Sequence, residues 1–510
     1  MSETAAVLPH FTHQQIRSVI IGIMLCILLA ALDQTVVVPA VPAIAADLNG
    51  FDHLAWIVSV YLLTSTAATP IVGKLSDIYG RRALLLPSLV VFIITSALCA
   101  LAQSLLQLIL FRALQGLGGA GLLAMSQAAV ADVVSPRDRG RYQGYMASMW
   151  GLASVAGPVV GGYMVDHLSW RWIFWINLPI GAGAYLVSAR ALKLLRVRRQ
   201  ATTRIDYLGA ALLTGSITAM LMVLSLGGTS YPWASPPVLG LLLLSVVLLA
   251  VLIVVERRLA DPLLPPRMFT SSAFVCGVVM AFFTSFAMFG GTFLLPLYFQ
   301  LAQGADASAS GFLIMPFLAS SVVGAVLGGQ LARRIGRTKW IMIAGLFSCV
   351  LGFAGLALVD RDTALIWPAL CMVVLGNGVG VLFPTIMVTV QNAAEHRDVG
   401  IATGTLLLLR SMGGAFGSTI VGAVLASHFT SGLARLGVTA RIDMASLRGR
   451  GSVLPGISAD TMQEVHRALQ SAFRVDFLLC AGLMLAGLVA GLWVRDVQLR
   501  GGSGAHGIGH

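Results

Sequence analysis

Charged residues are scarce in this chain. Asp, Glu, Lys and Arg make up 11% of its 510 residues, and hydrophobic residues 57%, whereas a soluble domain carries about 25% charged residues. That deficit excludes a string of soluble domains. Catalytic signatures are missing too. There is no Walker loop, so ATP hydrolysis is not the energy source. Neither an HExxH helix nor a nucleophile elbow marks an enzyme. The six cysteines (Cys26, Cys99, Cys276, Cys349, Cys371 and Cys480) lie far apart inside apolar runs. No CxxC or Cys/His spacing suggests a metal, and they read as small buried hydrophobes. His53, His167 and His396 fall in loops and form no ligand cluster. The net charge of +12 comes without a long basic tract interleaved with aromatics, so nucleic acid is not an expected partner.

Long apolar runs fill the chain instead. A spanning helix needs about 20 mostly apolar residues, and lipid admits only helices or a closed barrel. The runs are continuous rather than alternating, which selects helices and an all-α polytopic membrane protein. Spans are predicted near 16–40, 54–74, 83–103, 106–130, 142–165, 171–192, 206–226, 237–256, 272–299, 309–331, 339–358, 364–390, 400–427 and 473–494. Trp56, Trp170, Trp172, Trp233, Trp340, Trp367 and Trp493 fall at span ends, as an interfacial belt requires. No small-residue cleavage site follows the first run, which reads as a retained span rather than a signal peptide.

Orientation follows from the basic residues. Lys74, Arg81, Arg82, Arg137, Arg139, Arg141, Lys193, Arg196, Arg198, Arg199, Arg204, Arg257, Arg258, Arg333, Arg334, Arg337 and Lys339 share one set of loops, while the opposite short loops hold little beyond Arg171 and Arg361. The basic set is expected on the cytoplasmic side, with both termini inside. One segment disagrees: about 428–472 must then be an external loop, yet it carries Arg435, Arg441, Arg448, Arg450 and Arg467. The glycine-rich tail Gly501–His510 is expected to be disordered.

The text also repeats. Gly73-Lys-Leu-Ser-Asp77-Ile-Tyr-Gly80-Arg81 returns 256 residues later as Gly329-Gln-Leu-Ala-Arg333-Arg-Ile-Gly336-Arg337. Asp138-Arg-Gly140 with Gly144 returns 260 residues later as Asp398-Val-Gly400 with Gly404, and Gly157 and Gly162 match Gly417 and Gly422 at that offset. Two six-span halves explain the repeat, and a two-span insert explains the surplus length. The expected organisation is a six-helix bundle over 1–200, an insert over 201–265, a second six-helix bundle over 266–500 and the tail 501–510. Paired halves with a site between them are the usual build of secondary transporters.

These residues resemble the major facilitator superfamily, and within it the fourteen-span drug:proton antiporter branch (the EmrB/QacA type), over nearly the whole chain. Gly73 to Arg82 resembles the superfamily's loop motif between spans 2 and 3. Arg112-Ala-Leu-Gln115-Gly116-Leu-Gly118-Gly119-Ala120 is similar to its fourth-span motif, and Gly151 to Gly162 to the fifth-span motif of exporters. Leu32-Asp33-Gln-Thr35-Val-Val resembles the branch's first-span text. That text usually continues with Asn, where this chain has Val38-Pro39-Ala40-Val41-Pro42. Leu295 to Gln300, followed by Gly311 and Pro316, is similar to the branch's ninth-to-tenth-span text. The resemblance implies a major facilitator fold of fourteen helices, two six-helix bundles plus two.

Asp33 and Arg112 are ionisable groups inside apolar runs, each six or seven residues from the outer end of its span, about 10 Å at 1.5 Å per residue. A carboxylate there costs at least ~2.5 kcal/mol to insert. Similar depth permits a pair if the helices touch. Low dielectric disfavours the charged form of a carboxyl and a guanidinium favours it, so a small movement of Arg112 would load or release a proton. The other reading is a static ion pair that holds two helices in register. The resemblance implies that Asp33 is the coupling or substrate-facing acid, with Arg112 and Gln115 of the fourth-span motif beside it. Arg410, inside span 13, either lines the cavity or snorkels and pairs with a carbonyl.

In the loop motif, Gly73 and Gly80 permit a tight turn. Asp77 can sit against a positive helix end, which the resemblance places at the start of span 13 near Gly400. Arg81 and Arg82 can bond groups across the two halves, a cytoplasmic gate, or form a solvated turn that sets topology. Gly157 and Gly161 share one face of span 5 and permit close helix packing, and Pro158 can bend the helix. Phe282, Phe283, Phe286, Met288, Phe289 and Tyr298 line a cavity, the core or lipid. The expected function is proton-coupled export of amphipathic compounds across the inner (cytoplasmic) membrane, with no cofactor beyond the proton gradient. The expected partners are a small-molecule substrate, protons and lipid, and an outer-membrane partner reached through an adaptor is left open. The alternatives are a dedicated exporter of one metabolite and a non-transporting receptor or scaffold.

Overall fold

Peptide groups in hydrocarbon have no water to bond, so every crossing segment must satisfy its own backbone. In the computed structural model, which describes residues 12–48, 54–194, 206–228, 231–259, 262–305, 307–360, 363–435, 459–494, 496 and 499, the apolar runs do this as α-helices. Sixteen α-helices and no strand occur among the described residues, where the one bridge joins Gly227 and Tyr231. They are α1 (His13–Asp47), α2 (Leu54–Tyr79), α3 (Arg81–Ala100), α4 (Leu105–Val133), α5 (Pro136–His167), α6 (Trp172–Trp175), α7 (Asn177–Ala191), α8 (Tyr207–Leu226), α9 (Pro236–Glu256), α10 (Ser272–Leu297), α11 (Ala307–Leu313), α12 (Met315–Ile335), α13 (Lys339–Leu356), α14 (Ile366–Ala393), α15 (Val399–Arg435) and α16 (Ala459–Leu492).

Thirteen segments are long and apolar enough to cross a membrane among the described residues. The fourteenth expected span coincides with α5. Its 32 residues are long enough, but Gly140, Gly144, Gly151, Gly157, Gly161 and Gly162 and a charged first turn dilute its apolar character. The helices fall into two compact units, Met1–Ser135 with Leu152–Thr203, and Pro136–Gly151 with Arg204–His510.

Local chemistry sets the helix ends. Thr12 and Gln15 form a capping box at the start of α1, satisfying two otherwise orphaned donors. Gly80, at φ 90°, separates α2 from α3, and Gly336, at φ 70°, ends α12. The two glycines hold matching places in the repeated text, and both adopt a backbone that side-chain-bearing residues avoid. The insert helices α8 and α9 are joined by reciprocal bonds. Ser216 Oγ donates to Ser245 O, and Ser245 Oγ to Ser216 O, each at 2.9 Å.

Within the segment 428–472, expected to be an external loop, the described residues are helical. α15 runs on to Arg435 and α16 begins at Ala459. Phe429, Leu433, Val465 and Leu469 are buried along these extensions, an apolar face hidden in sequence by the neighbouring arginines. Residues 436–458, the tail Gly501–His510, and the loop residues His53, Arg196, Arg198, Arg199, Arg204 and Arg361 lie outside the described residues.

Candidate functional site

Asp33 of α1 lies at the centre of a polar cluster closed to solvent within the first unit. Arg112 Nη1 of α4 donates to Asp33 Oδ2 at 2.6 Å, and Gln115 Nε2, one turn further on, donates to Oδ1 at 3.0 Å. Asn177 Nδ2, at the start of α7, donates to the same Oδ1 at 2.8 Å and to Ser96 Oγ of α3 at 3.0 Å. Arg112 Nη1 also bonds Gln115 Oε1 at 2.9 Å, and its Nε donates to the Ile57 carbonyl of α2 at 3.3 Å. The guanidinium lies over the rings of Tyr61, 4.5 Å away, and Phe174, 5.7 Å away. Asp33, Arg112, Gln115, Asn177 and Ser96 are at most 1% exposed.

The helices meet here for sequence-local reasons. Ser104 caps α4 by accepting from Gln107 N, which places Arg112 two turns inside. A Cβ on Gly116 would sit 2.6 Å from the Tyr61 carbonyl, so the glycine is what allows α2 close enough to offer Ile57 O and Tyr61 to Arg112. One charged and two neutral donors satisfy the carboxylate without water. All of these partners belong to the first unit.

The loop motif forms a second charged cluster. Arg81 Nη1 pairs with Asp77 at 2.6 Å and Nε with Asp132 at 2.9 Å. Nη1 also donates to Ser76 Oγ, which itself donates to the Gly73 carbonyl at 2.7 Å. The guanidinium of Arg81 is buried against Asp77, Ser76 and Asp132 of its own unit. Asp132 carries no motif signal of its own in the sequence, and only the fold brings it to Arg81.

A family model described as Major Facilitator Superfamily matches residues 23–418. The chain belongs to the Major Facilitator Superfamily. It is 36% identical over 408 residues to the multidrug transporter protein MdtP of Bacillus subtilis, covering 80% of this chain and 74% of that protein. It is 35% identical over 473 residues to an uncharacterised MFS-type transporter of Mycobacterium tuberculosis, covering 93% of this chain and 68% of that one. The crystal structure of the human organic anion transporter MFSD10 aligns with a TM-score of 0.62 at 16% identity, over 93% of this chain and 99% of that one. This facilitator is therefore a multi-pass membrane transporter that takes small-molecule substrates, and not an enzyme.

Other expected positions of the facilitator fall elsewhere. Gly157 and Gly161 pack on α1, where an added Cβ would clash with Thr35 Oγ1 and lie 2.5 Å from the Val36 carbonyl, respectively. Pro158 sits between them inside α5. Arg410 of α15 lies 3.7 Å over the Phe383 ring of α14, with neither an ion pair nor a carbonyl bond among the described residues. Phe286 and Tyr298 are buried, and Phe289 is exposed. Sequence reasoning missed Asn177 and Ser96. The available signal was an amide at the head of an otherwise apolar run, Trp172–Ala191.

Proposed function

We propose that this transporter exports amphipathic compounds across the cytoplasmic (inner) membrane in exchange for protons, by alternating access, with Asp33 as the proton carrier. The observation that carries the reading is the Asp33 shell: a solvent-free carboxylate held by Arg112, Gln115 and Asn177. Intramembrane ionisable groups of this kind mark ion pathways. When Arg112 and the amides turn away, a lone carboxylate in low dielectric takes up a proton; when they return, they release it. The printed names of relatives, among them the multidrug transporter MdtP, support export of amphipathic compounds. The distribution of basic loops supports cytoplasmic termini. The domain reading of six, two and six spans and a cofactor-free, gradient-driven cycle belong to the same proposal.

The test is efflux by purified protein in liposomes under an imposed pH gradient, across a panel of cationic and neutral amphipaths. Asp33→Asn is expected to reduce gradient-driven transport to the level of empty liposomes while the protein still folds. Full gradient-dependent efflux by that variant would sink the proposal.

A further inference from the structure

The second unit contains a buried acid that the Asp33 cluster does not use. Asp476 is 0% exposed, and neither carboxyl oxygen has a hydrogen-bond partner among the described residues. It lies near the middle of the span Met462–Leu492, about 21 Å from one end and 24 Å from the other at 1.5 Å per residue. Phe473 and Cys480 share its helix face, being three and four residues away, and Phe477 is the next residue along. Tyr298 closes the collar, meeting the Phe473 ring edge-on at 5.4 Å and the Phe477 ring at 6.0 Å. Cys480 Sγ lies against Gly290 of α10, so this face of α16 looks toward α10.

A second observation falls on the same collar. Tyr298 opens a π-helical turn, Tyr298–Ala302, directly after Pro296 in α10. Such turns recur at functional sites. The buried Tyr298 hydroxyl likewise has no hydrogen-bond partner within bonding distance among the described residues, Gln303 being the polar side chain nearest to it. Two such polar groups thus flank one aromatic collar, beside an irregular turn.

We infer that Asp476 is a second proton-binding site of this transporter, separate from Asp33 and carried by α16. An ionised carboxylate with no donor in an apolar core is far more costly than the neutral acid, so this conformation suits the protonated form. Ionisation then requires the collar to open to water or to a donor.

The other titratable groups on the elements around α16 are committed elsewhere. Cys349 of α13 donates to the Leu375 carbonyl, and Lys339 to that of Leu492 at the far end of α16. Cys276 lies in the first turns of α10, remote from the Tyr298 end. On α15, Arg410 lies over Phe383, and His428 and Arg435 are exposed. On α16 itself, Arg474 and Arg467 are exposed and Glu464 and His466 lie toward its start. Among the described residues, Tyr298 and Cys480 remain at the collar, and Asp360, in the loop after α13, acts on Tyr298 from outside it. This inference does not depend on coupling at Asp33.

Infrared difference spectroscopy of the full-length protein in lipid, between acid and alkaline pH, reads protonated carboxyls directly. The wild type is expected to show a carboxylic-acid carbonyl band that Asp33→Asn retains, Asp476→Glu shifts, and both Asp476→Asn and Asp476→Leu lose. Leu suits the apolar collar and guards against a variant that fails only because it misfolds. Spectra of Asp476→Leu that match the wild type across the titration would overturn the assignment. Because the readout is a proton and not a transported solute, it stands or falls apart from the efflux result for Asp33→Asn.

Discussion

At the scale of residues, Asp33 and Arg112 are each other's condition for burial. Removing one partner of a buried pair strands a charge and typically costs about 3–5 kcal/mol, whereas replacing both with apolar residues of similar volume is often neutral. Arg112→Ala is therefore expected to lower stability by about 3–5 kcal/mol, seen as lost thermal stability in detergent. Asp33→Leu combined with Arg112→Leu should recover most of that stability without recovering transport. A double variant no more stable than Arg112→Ala would show that the neighbours, not the charge pair, hold the cluster. Asp47, beyond the membrane-spanning part of α1, gives a pH prediction. Arg171 Nη1 donates to its carboxylate at 2.8 Å and Trp170 Nε1 at 3.0 Å, and these bonds, Arg171's foremost, hold the Asp47 carboxyl below its usual range. A depressed folded-state value means a contribution present above about pH 4 and lost as pH falls through that value. The wild-type melting midpoint should thus fall more steeply on acidification than that of Asp47→Asn, and parallel curves would refute it. Equal depth made the Asp33–Arg112 pair legible in the text. Asn177 was not legible, because a neutral amide in an apolar run shows its worth only when α7 packs on α1. Asp476 was hidden by an estimated span start at 473, which left it near an end beside Arg474; α16 begins at Ala459 and buries it mid-helix.

At the scale of elements, the seam between α1 and α5 shows why one glycine differs from its neighbour. A Cβ at Gly161 would fall 2.5 Å from the Val36 carbonyl, which is backbone and cannot rotate away, while one at Gly162 meets nothing within 4 Å. Gly161→Ala must therefore push α5 off α1, at about 1–3 kcal/mol for overpacking. Gly162→Ala should be neutral or stabilising by up to about 1 kcal/mol, since Ala favours helix over Gly. Thermal unfolding of the two variants checks the contrast, and equal effects would mean that the seam is looser than its geometry. The i, i+4 spacing of Gly157 and Gly161 announced a packing face in advance. Spacing alone does not name the opposing helix, and it gave no warning that so glycine-rich a helix would fall short of the apolar content of the other spans.

At the scale of the whole molecule, the question is which contacts are built to last and which to break. The Asp33 cluster is fully buried and many-bonded. Within the second unit, the start of α5 crosses α12 differently. An added Cβ on Gly140 would lie 2.5 Å from the Gly329 carbonyl, so the backbones touch with no side chain between them. Asp138 pairs with Arg333 at 2.8 Å, both about half exposed, and Arg137 Nε donates to the Arg333 carbonyl at 2.9 Å. Exposed pairs of this kind contribute about 0–1 kcal/mol, so they do little to hold the crossing, which Gly144 and Gly151 continue against Val326 and Val322. The alternating-access cycle proposed above would part this crossing at every turnover. A short bifunctional thiol reagent joining Asp138→Cys to Arg333→Cys should then arrest transport, with each single variant unaffected by the same reagent. The native cysteines give little background, because five are buried and Cys276 only part-exposed. Undiminished efflux from quantitatively cross-linked protein would show that α5 and α12 stay together throughout the cycle, and that the opening must be sought at another crossing.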